Sequence, residues 1–192
     1  WCKQAIWPLI RKALPDAELH CYGSYGDKYQ GELHAPKAGV HYKGRAVDAL
    51  ATMANYRVNL APLRYGAGLK GKVFDGFQTG TPTVTTPIGA EGIAGTMDWG
   101  GMISAEPQPF ADAAIEIYSD AARWAQVQVQ GQRIARQRFD AVVWQPQLPQ
   151  LLEAALQQFA ENRQKHFTGR MLRHHHHRST EFMSRWIEVK NR

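Results

Sequence analysis

The chain is poor in the features that announce most chemistries. Two cysteines in 192 residues, Cys2 and Cys21, make neither a disulfide framework nor a metal-ligand spacing, and both read as small buried hydrophobes of a reducing compartment. No apolar run approaches the roughly 20 residues needed to span a bilayer. No G-x-x-x-x-G-K-[ST] occurs, which excludes the phosphate loop of nucleoside triphosphatases. Gly66-x-Gly68 is followed by Leu69-Lys70-Gly71, off the GxGxxG spacing, and the acid about 20 residues further on is Glu91, inside another loop. The strand ends carry Gly23, Gly44 and Pro62 where a phosphorylated receiver wants an acidic cluster. His174, His175, His176 and His177 stand in a row without a Cys or carboxylate cluster. Successive helical residues point in different directions, so no metal site is expected there. There is no signal peptide, and the chain opens at Trp1 inside a helical pattern, which reads as a fragment missing an upstream portion.

Charge is informative once it is located. Residues 163–192 hold eight Lys/Arg against two Glu, which accounts for the whole net charge of +6 and leaves fifteen of each sign elsewhere. A balanced body with a basic tail argues against nucleic acid and suits an acidic neighbouring domain or an anionic lipid surface.

What the sequence does have is the stretch 57–95. Val58, Leu60 and Ala61 form a short strand that Pro62 ends. Residues 64–72 then bring Arg64, Lys70 and Lys72 together with Gly66, Gly68 and Gly71. Val73, Phe74 and Phe77 mark a helix, Gly80-Thr81-Pro82 stops it, and a β-branched run follows over 83–86. Glycines let backbone N–H groups approach an anion, the helix N-terminus adds partial positive charge, and the cations add full charge. That combination suits a diphosphate, although a glycine loop between strand and helix is as often a plain connection. Asp75, one turn after Lys72 and expected in the first turn of the helix, could accept both hydroxyls of a ribose.

In chain order, helical periodicity covers 1–14 with a kink or restart at Pro8. A strand follows over 18–22 and closes on a polar loop, Gly23-Ser24, where ligands of open α/β folds bind. Residues 24–39 are turn-rich, 40–42 read as a strand, and Gly44, Arg45 and Ala46 lead into a helix over 47–54. Beyond the β-branched run, Pro87 to Gly92 form a second glycine loop that carries Glu91. A strand is expected over 102–104, helices over 110–118 and 120–138, a helical face from Leu148 to Phe159, and an amphipathic segment over 179–190. The alternation argues for an α/β fold, a Rossmann-like parallel sheet with helices on both faces, followed by C-terminal helices. The domain boundary is expected near 140, with 1–140 binding nucleotide sugar and 141–192 a helical segment ending in the basic tail.

The run APLRYGAGLKGKVFDGF, followed by GTPTVTT and GAEG, resembles the C-terminal, donor-binding domain of GT-B glycosyltransferases, the retaining family of glycosyl transferases group 1. The resemblance implies transfer of a sugar from a nucleotide-sugar donor, such as a UDP- or GDP-sugar, to a glycan or lipid-linked acceptor. No cofactor and no metal would be required. Aligned on Gly80-x-Pro82, Asp75 takes the place of the family's ribose-binding glutamate, while Ala67 stands where its first glutamate would be. Arg64, Gly66, Gly68, Lys70 and Lys72 would hold the diphosphate. Gly44, Arg45 and Ala46 would shape the base pocket, with Gly23, Ser24 and Glu91 on the donor cleft. No catalytic base is visible. An N-terminal domain outside this chain would supply the acceptor site, so the fragment alone is expected to bind without turnover. The implied location is cytoplasmic, with the tail able to meet the inner membrane. A GT-B-type nucleotide-sugar epimerase and a non-catalytic flavodoxin-like module stay open as alternatives.

Overall fold

The computed structural model describes residues 1–191, and their side chains except those of 173–177, so the histidine run lies outside the described side chains. The chain divides into two units, Trp1–Asp140 and Ala141–Arg192.

The first unit opens with a π-helical turn, Cys2–Ile6, that becomes α1 (Trp7–Ala13) with Pro8 in its first turn. Proline has no N–H to lose there, so the expected restart at Pro8 is observed. Then come β1 (Leu19–Tyr22), α2 (Gln30–Leu33), β2 (Val40–Gly44), α3 (Ala49–Ala54), β3 (Asn59–Ala61), α4 (Gly71–Thr79), β4 (Thr83–Thr85), α5 (Pro87–Ala90), β5 (Gly101–Ile103), α6 (Pro107–Ser119) and α7 (Ala121–Phe139). The strands form two parallel sheets, β1–β2 and β3–β4–β5, with Leu19 opposite Val40 and Leu60 opposite Val84. Within each sheet the strands run in the same sense, and the chain passes from β2 to β3 through α3.

β4 is central to its sheet, and its three residues are all buried. Its β-branched composition is that of a parallel strand covered on both faces. Val84 faces the cluster of Ile6, Trp7 and Ile10 with Phe110, Ala114 and Ile117 of α6. Thr83 and Thr85 face the other way, toward α4, and keep their hydroxyls satisfied. Thr83 Oγ1 accepts from Asn59 Nδ2 at 3.1 Å, and Thr85 Oγ1 donates to the Ala61 carbonyl at 2.8 Å. A threonine surface leaves room for close helix approach. A Cβ at Gly76 of α4 would sit 2.2 Å from Thr83 Oγ1. α1 and α6 therefore cover one face of the β3–β4–β5 sheet and α4 the other, with α3 packed beside α4.

A second cluster joins α4 to α7, with Val73, Phe77, Ile93 and Ile134 fully buried. Gly131 of α7 lies against the Phe77 ring, and a Cβ there would come within 2.8 Å of it. Alanine normally stabilises a helix interior over glycine by about 1 kcal/mol. Here that sign inverts: Gly131→Ala is expected to cost about 1–3 kcal/mol through overpacking, read as a lower chemical-denaturation midpoint.

The second unit is helical: α8 (Ala141–Trp144), α9 (Gln147–Gln157), α10 (Phe159–Lys165) and α11 (Phe167–Lys190). The expected helix face from Leu148 to Phe159 is divided, because α9 closes on Gln158 before Phe159 starts α10. α11 begins twelve residues before the expected 179. No helix of the described residues is long and apolar enough to cross a membrane.

Candidate functional site at the carboxyl edge of the sheets

Because the strands of each sheet are parallel, the loops after their carboxyl ends share that sheet's edge. Gly23 and Ser24 follow β1, Gly44 closes β2, residues 62–70 follow β3, and residues 86–92 surround α5 after β4. Both glycine loops singled out in the sequence lie on the edge of the β3–β4–β5 sheet.

The loops meet in two groups. Gly23 N–H donates to the Gly44 carbonyl at 2.9 Å, which brings together Ser24, Arg45 and Ala46. Gly44 has φ +72°, a left-handed conformation that glycine adopts without cost and that turns the chain out of β2. Tyr42 supports this corner, donating its hydroxyl to Asp27 Oδ1 at 2.8 Å and to the Gly23 carbonyl at 3.1 Å. Desolvation, and then the hydrogen bond to Asp27, pushes the Tyr42 phenol up. Neither residue was legible as a support, since Asp27 lies in 24–39, which showed only turn composition, and Tyr42 read only as a strand residue. Asp48, in contrast, caps α3 by accepting from Ala51 N–H at 2.9 Å, and Arg45 is exposed.

The second group joins the loops after β3 and β4. Thr86 Oγ1 donates to the Leu63 carbonyl. A Cβ on Gly89 would meet Thr85 Oγ1 at 2.0 Å and Leu63 Cδ1 at 3.4 Å, and one on Gly92 would meet Leu69 Cδ2 at 3.3 Å. Glu91, exposed beside Gly92, thus stands next to the cationic loop. Arg138, from the last turn of α7, holds this region by donating to the Gly92 and Ile93 carbonyls. It is a further support that no local signal marked.

Within the cationic loop the three charges differ. Lys70 is buried and folds back so that its Nζ donates to the Gly68 carbonyl, with its stem under Gly66. Arg64 and Lys72 are exposed, and among the described residues neither pairs with a carboxylate. α4 begins at Gly71, with no side chain capping its first turn; Val73 N–H donates to the Lys70 carbonyl at 2.9 Å, which leaves the N–H groups of Gly71 and Lys72 for an acceptor. Asn59 Nδ2 ties that turn to β3 through the Lys72 carbonyl at 2.9 Å.

Asp75 departs from its expected setting. It is the fifth residue of α4, in the second turn, and that first turn holds no acid. The favourable dipole term decays within one turn, so it does little for Asp75. The carboxyl is half-buried, no described group hydrogen bonds to it, and desolvation raises its pKa. Cys2 and Cys21 differ too: both are half-buried free thiols, and burial with the neighbouring Cys21 pushes the Cys2 thiol to about 12. No group of His, Cys, Asp and Glu among the described residues could hold a metal ion.

Residues 1–120 match the family described as glycosyl transferases group 1. The chain belongs to that family. No curated protein sequence matches it. Among solved structures, this group 1 chain is similar to Anabaena Alr3699/HepE in complex with UDP and glucose, at 20% identity and a TM-score of 0.62, over 77% of this chain and 44% of that one. It is also similar to the pneumococcal O-GlcNAc transferase GtfA in complex with UDP and GlcNAc, at 17% identity and 0.62, over 78% and 31%. A third is WaaG, a glycosyltransferase involved in lipopolysaccharide biosynthesis, at 18% identity and 0.54, over 72% and 41%. These likenesses establish a shared fold, the GT-B arrangement of a parallel sheet with flanking helices. The group 1 chain spans less than half the length of each of these structures.

Proposed function

We propose that the chain is the donor-binding half of a nucleotide-sugar glycosyltransferase and that the carboxyl-edge loops hold the donor. The observation that carries this reading is the loop 64–72: two exposed cations and a buried lysine strut run into an uncapped helix start. Such a start accepts anions through its backbone N–H groups. The bound UDP of the HepE and GtfA structures is the kind of ligand this chemistry suits. On this reading Arg64 and Lys72 bind the diphosphate directly, while Lys70 holds Gly66 and Gly68 in shape. Asp75 accepts from the ribose, Gly44, Arg45 and Ala46 border the base, and Gly23, Ser24 and Glu91 line the cleft.

The catalytic contribution is electrostatic. As the sugar leaves, negative charge builds on the diphosphate, and prearranged amides and cations stabilise charge where it develops. No metal or cofactor is needed for that step. The acceptor, a glycan or lipid-linked glycan, would be held by a second domain, so this half binds donor without turning it over. The basic tail would meet an anionic surface.

A thermal-shift panel with UDP, GDP and ADP, each with EDTA and with Mg²⁺, tests the reading. At a hundred times its dissociation constant a ligand specific for the folded state stabilises by about 2.7 kcal/mol. At least one nucleotide is expected to raise Tm equally in both conditions. No shift from any of the three, or a shift only with Mg²⁺, contradicts it.

A further inference from the structure

The C-terminal half of α11 presents a wide apolar face. Phe182, Met183, Trp186, Ile187 and Val189 are each about half exposed or more. We propose that this face binds lipid: the helix lies in the headgroup region of an anionic bilayer, with its apolar side at the acyl boundary and Arg178, Arg185 and Lys190 on lipid phosphates. This takes from the proposed function only that the basic tail meets an anionic surface, and it is independent of the donor site. α11 lies beyond residues 1–120, so the family match assigns it nothing.

The width of the face is the first argument. At 3.6 residues per turn the five apolar side chains spread over about 160° of the helix circumference. Glu181, Ser184 and Glu188, at i, i+3 and i+7, occupy the side opposite. A seam that pairs two copies of a helix uses a narrower stripe of a and d positions, so the width disfavours a coiled coil. The helix is not apolar enough to cross a membrane. An amphipathic helix of this kind lies in the interface plane.

The placement of charge is the second argument. Arg178 and Arg185, two turns apart, stand along one border of the apolar face. Lys190 lies over the Trp186 ring, with Nζ 4.9 Å from its centroid. Cations at such borders lay their stems on apolar surface and carry their heads to phosphate, while an indole suits the headgroup level. Arg185 Nη2 pairs with Glu181 Oε1 at 2.6 Å. That pair is exposed and therefore weak, so a lipid phosphate can replace it.

The charge of the whole segment selects the occupant. Residues 163–192 hold eight Lys/Arg against two Glu, and such a field draws the helix to an anionic surface before the apolar side chains insert. Nucleic acid would engage the cations but leave Phe182, Met183 and Ile187 in water.

The test sediments the 192-residue chain with vesicles of phosphatidylcholine alone and with about 30 % phosphatidylglycerol. The chain should partition at least roughly tenfold more strongly onto the anionic vesicles, with a blue shift of tryptophan emission. Trp186→Phe should still bind but lose most of that shift. Phe182→Ser with Trp186→Ser should weaken partitioning roughly a hundredfold at unchanged Tm, since both side chains are exposed. Arg178→Gln with Lys190→Gln should weaken it roughly tenfold or more on anionic vesicles. Equal partitioning onto both vesicles, or onto neither, would overturn the proposal. Parent-like binding by the serine pair would reduce the contact to charge alone and overturn it too. So would tighter binding to duplex DNA than to anionic vesicles, or a lipid-free dimer that the serine pair dissociates. Nucleotide-induced Tm shifts, measured on the same proteins, should not differ among them. A chain that binds vesicles without any nucleotide shift supports this proposal while losing the donor site.

Discussion

Arg64→Ala and Lys72→Ala are each expected to weaken binding of a nucleoside diphosphate by roughly ten- to a hundredfold, with little effect on the parent nucleoside. A charge-assisted contact contributes about 1.5–3 kcal/mol, which is that range in affinity. Both side chains are exposed and neither is engaged with a described carboxylate, so neither has a structural duty to lose. Stability should therefore change little. Because the contacts are ionic and partly wet, the parent's affinity should fall as salt rises, and the mutants should show a shallower dependence. Lys70→Ala is a different experiment. It removes the strut to the Gly68 carbonyl and the stem under Gly66, so Tm and affinity should fall together. Equal affinity of the Arg64 and Lys72 variants with the parent would show those cations to be a solvated face.

Asp75→Asn should separate stability from binding in opposite directions. The Asp75 pKa is raised in the fold by desolvation, so the folded chain holds this proton more tightly than the unfolded one. Stability from this group is then greatest below its unfolded pKa and is lost as pH rises through the folded value. At neutral pH the carboxylate carries that cost, and the uncharged amide does not. The variant should melt no lower than the parent at pH 7, and its advantage should vanish as pH falls and the parent's carboxyl becomes protonated. Binding should move the other way. A carboxylate offers two acceptor oxygens to a ribose and an amide only one, so ribonucleotide affinity should drop several-fold. A 2′,3′-dideoxy analogue should bind both forms alike. Isothermal titration with the two nucleotides, beside melting curves from pH 4 to 8, checks both halves. A lower Tm at pH 7 with unchanged ribose preference would make Asp75 a structural residue.

Legibility in the sequence followed the range of the forces involved. The strand, loop and helix from β3 to β4 were readable because Pro62, the glycine loop and Gly80 punctuate them locally; the observed Gly80, at φ +74°, closes α4 as a left-handed cap. Boundaries drifted where a neighbour sets them: α3 starts two residues after the expected 47 because Asp48 caps it. The paired Gly23 and Gly44 were legible as loop residues, but their hydrogen bond depends on the parallel register of β1 and β2. Arg138 and Tyr42 could not be found, since each reaches its carbonyl across many residues and leaves no periodic trace. Lys70 looked like one of three equivalent cations, and only burial distinguishes it as a strut. The misplaced helical turn of Asp75 came from counting from Lys72 and not from the first hydrogen-bonded residue of α4.

Amide chemical-shift mapping of the isotopically labelled chain, titrated with whichever of UDP, GDP or ADP shifts Tm most, tests the central claim most directly. The account predicts saturable shifts at Gly66, Gly68, Gly71, Lys72 and Asp75, with smaller ones at Gly44 to Ala46 and little change along α9 to α11. Shifts concentrated on the basic tail at 163–192, with the loop 64–72 unmoved, would mean that the nucleotide reads only surface charge, and the donor-site assignment would be wrong.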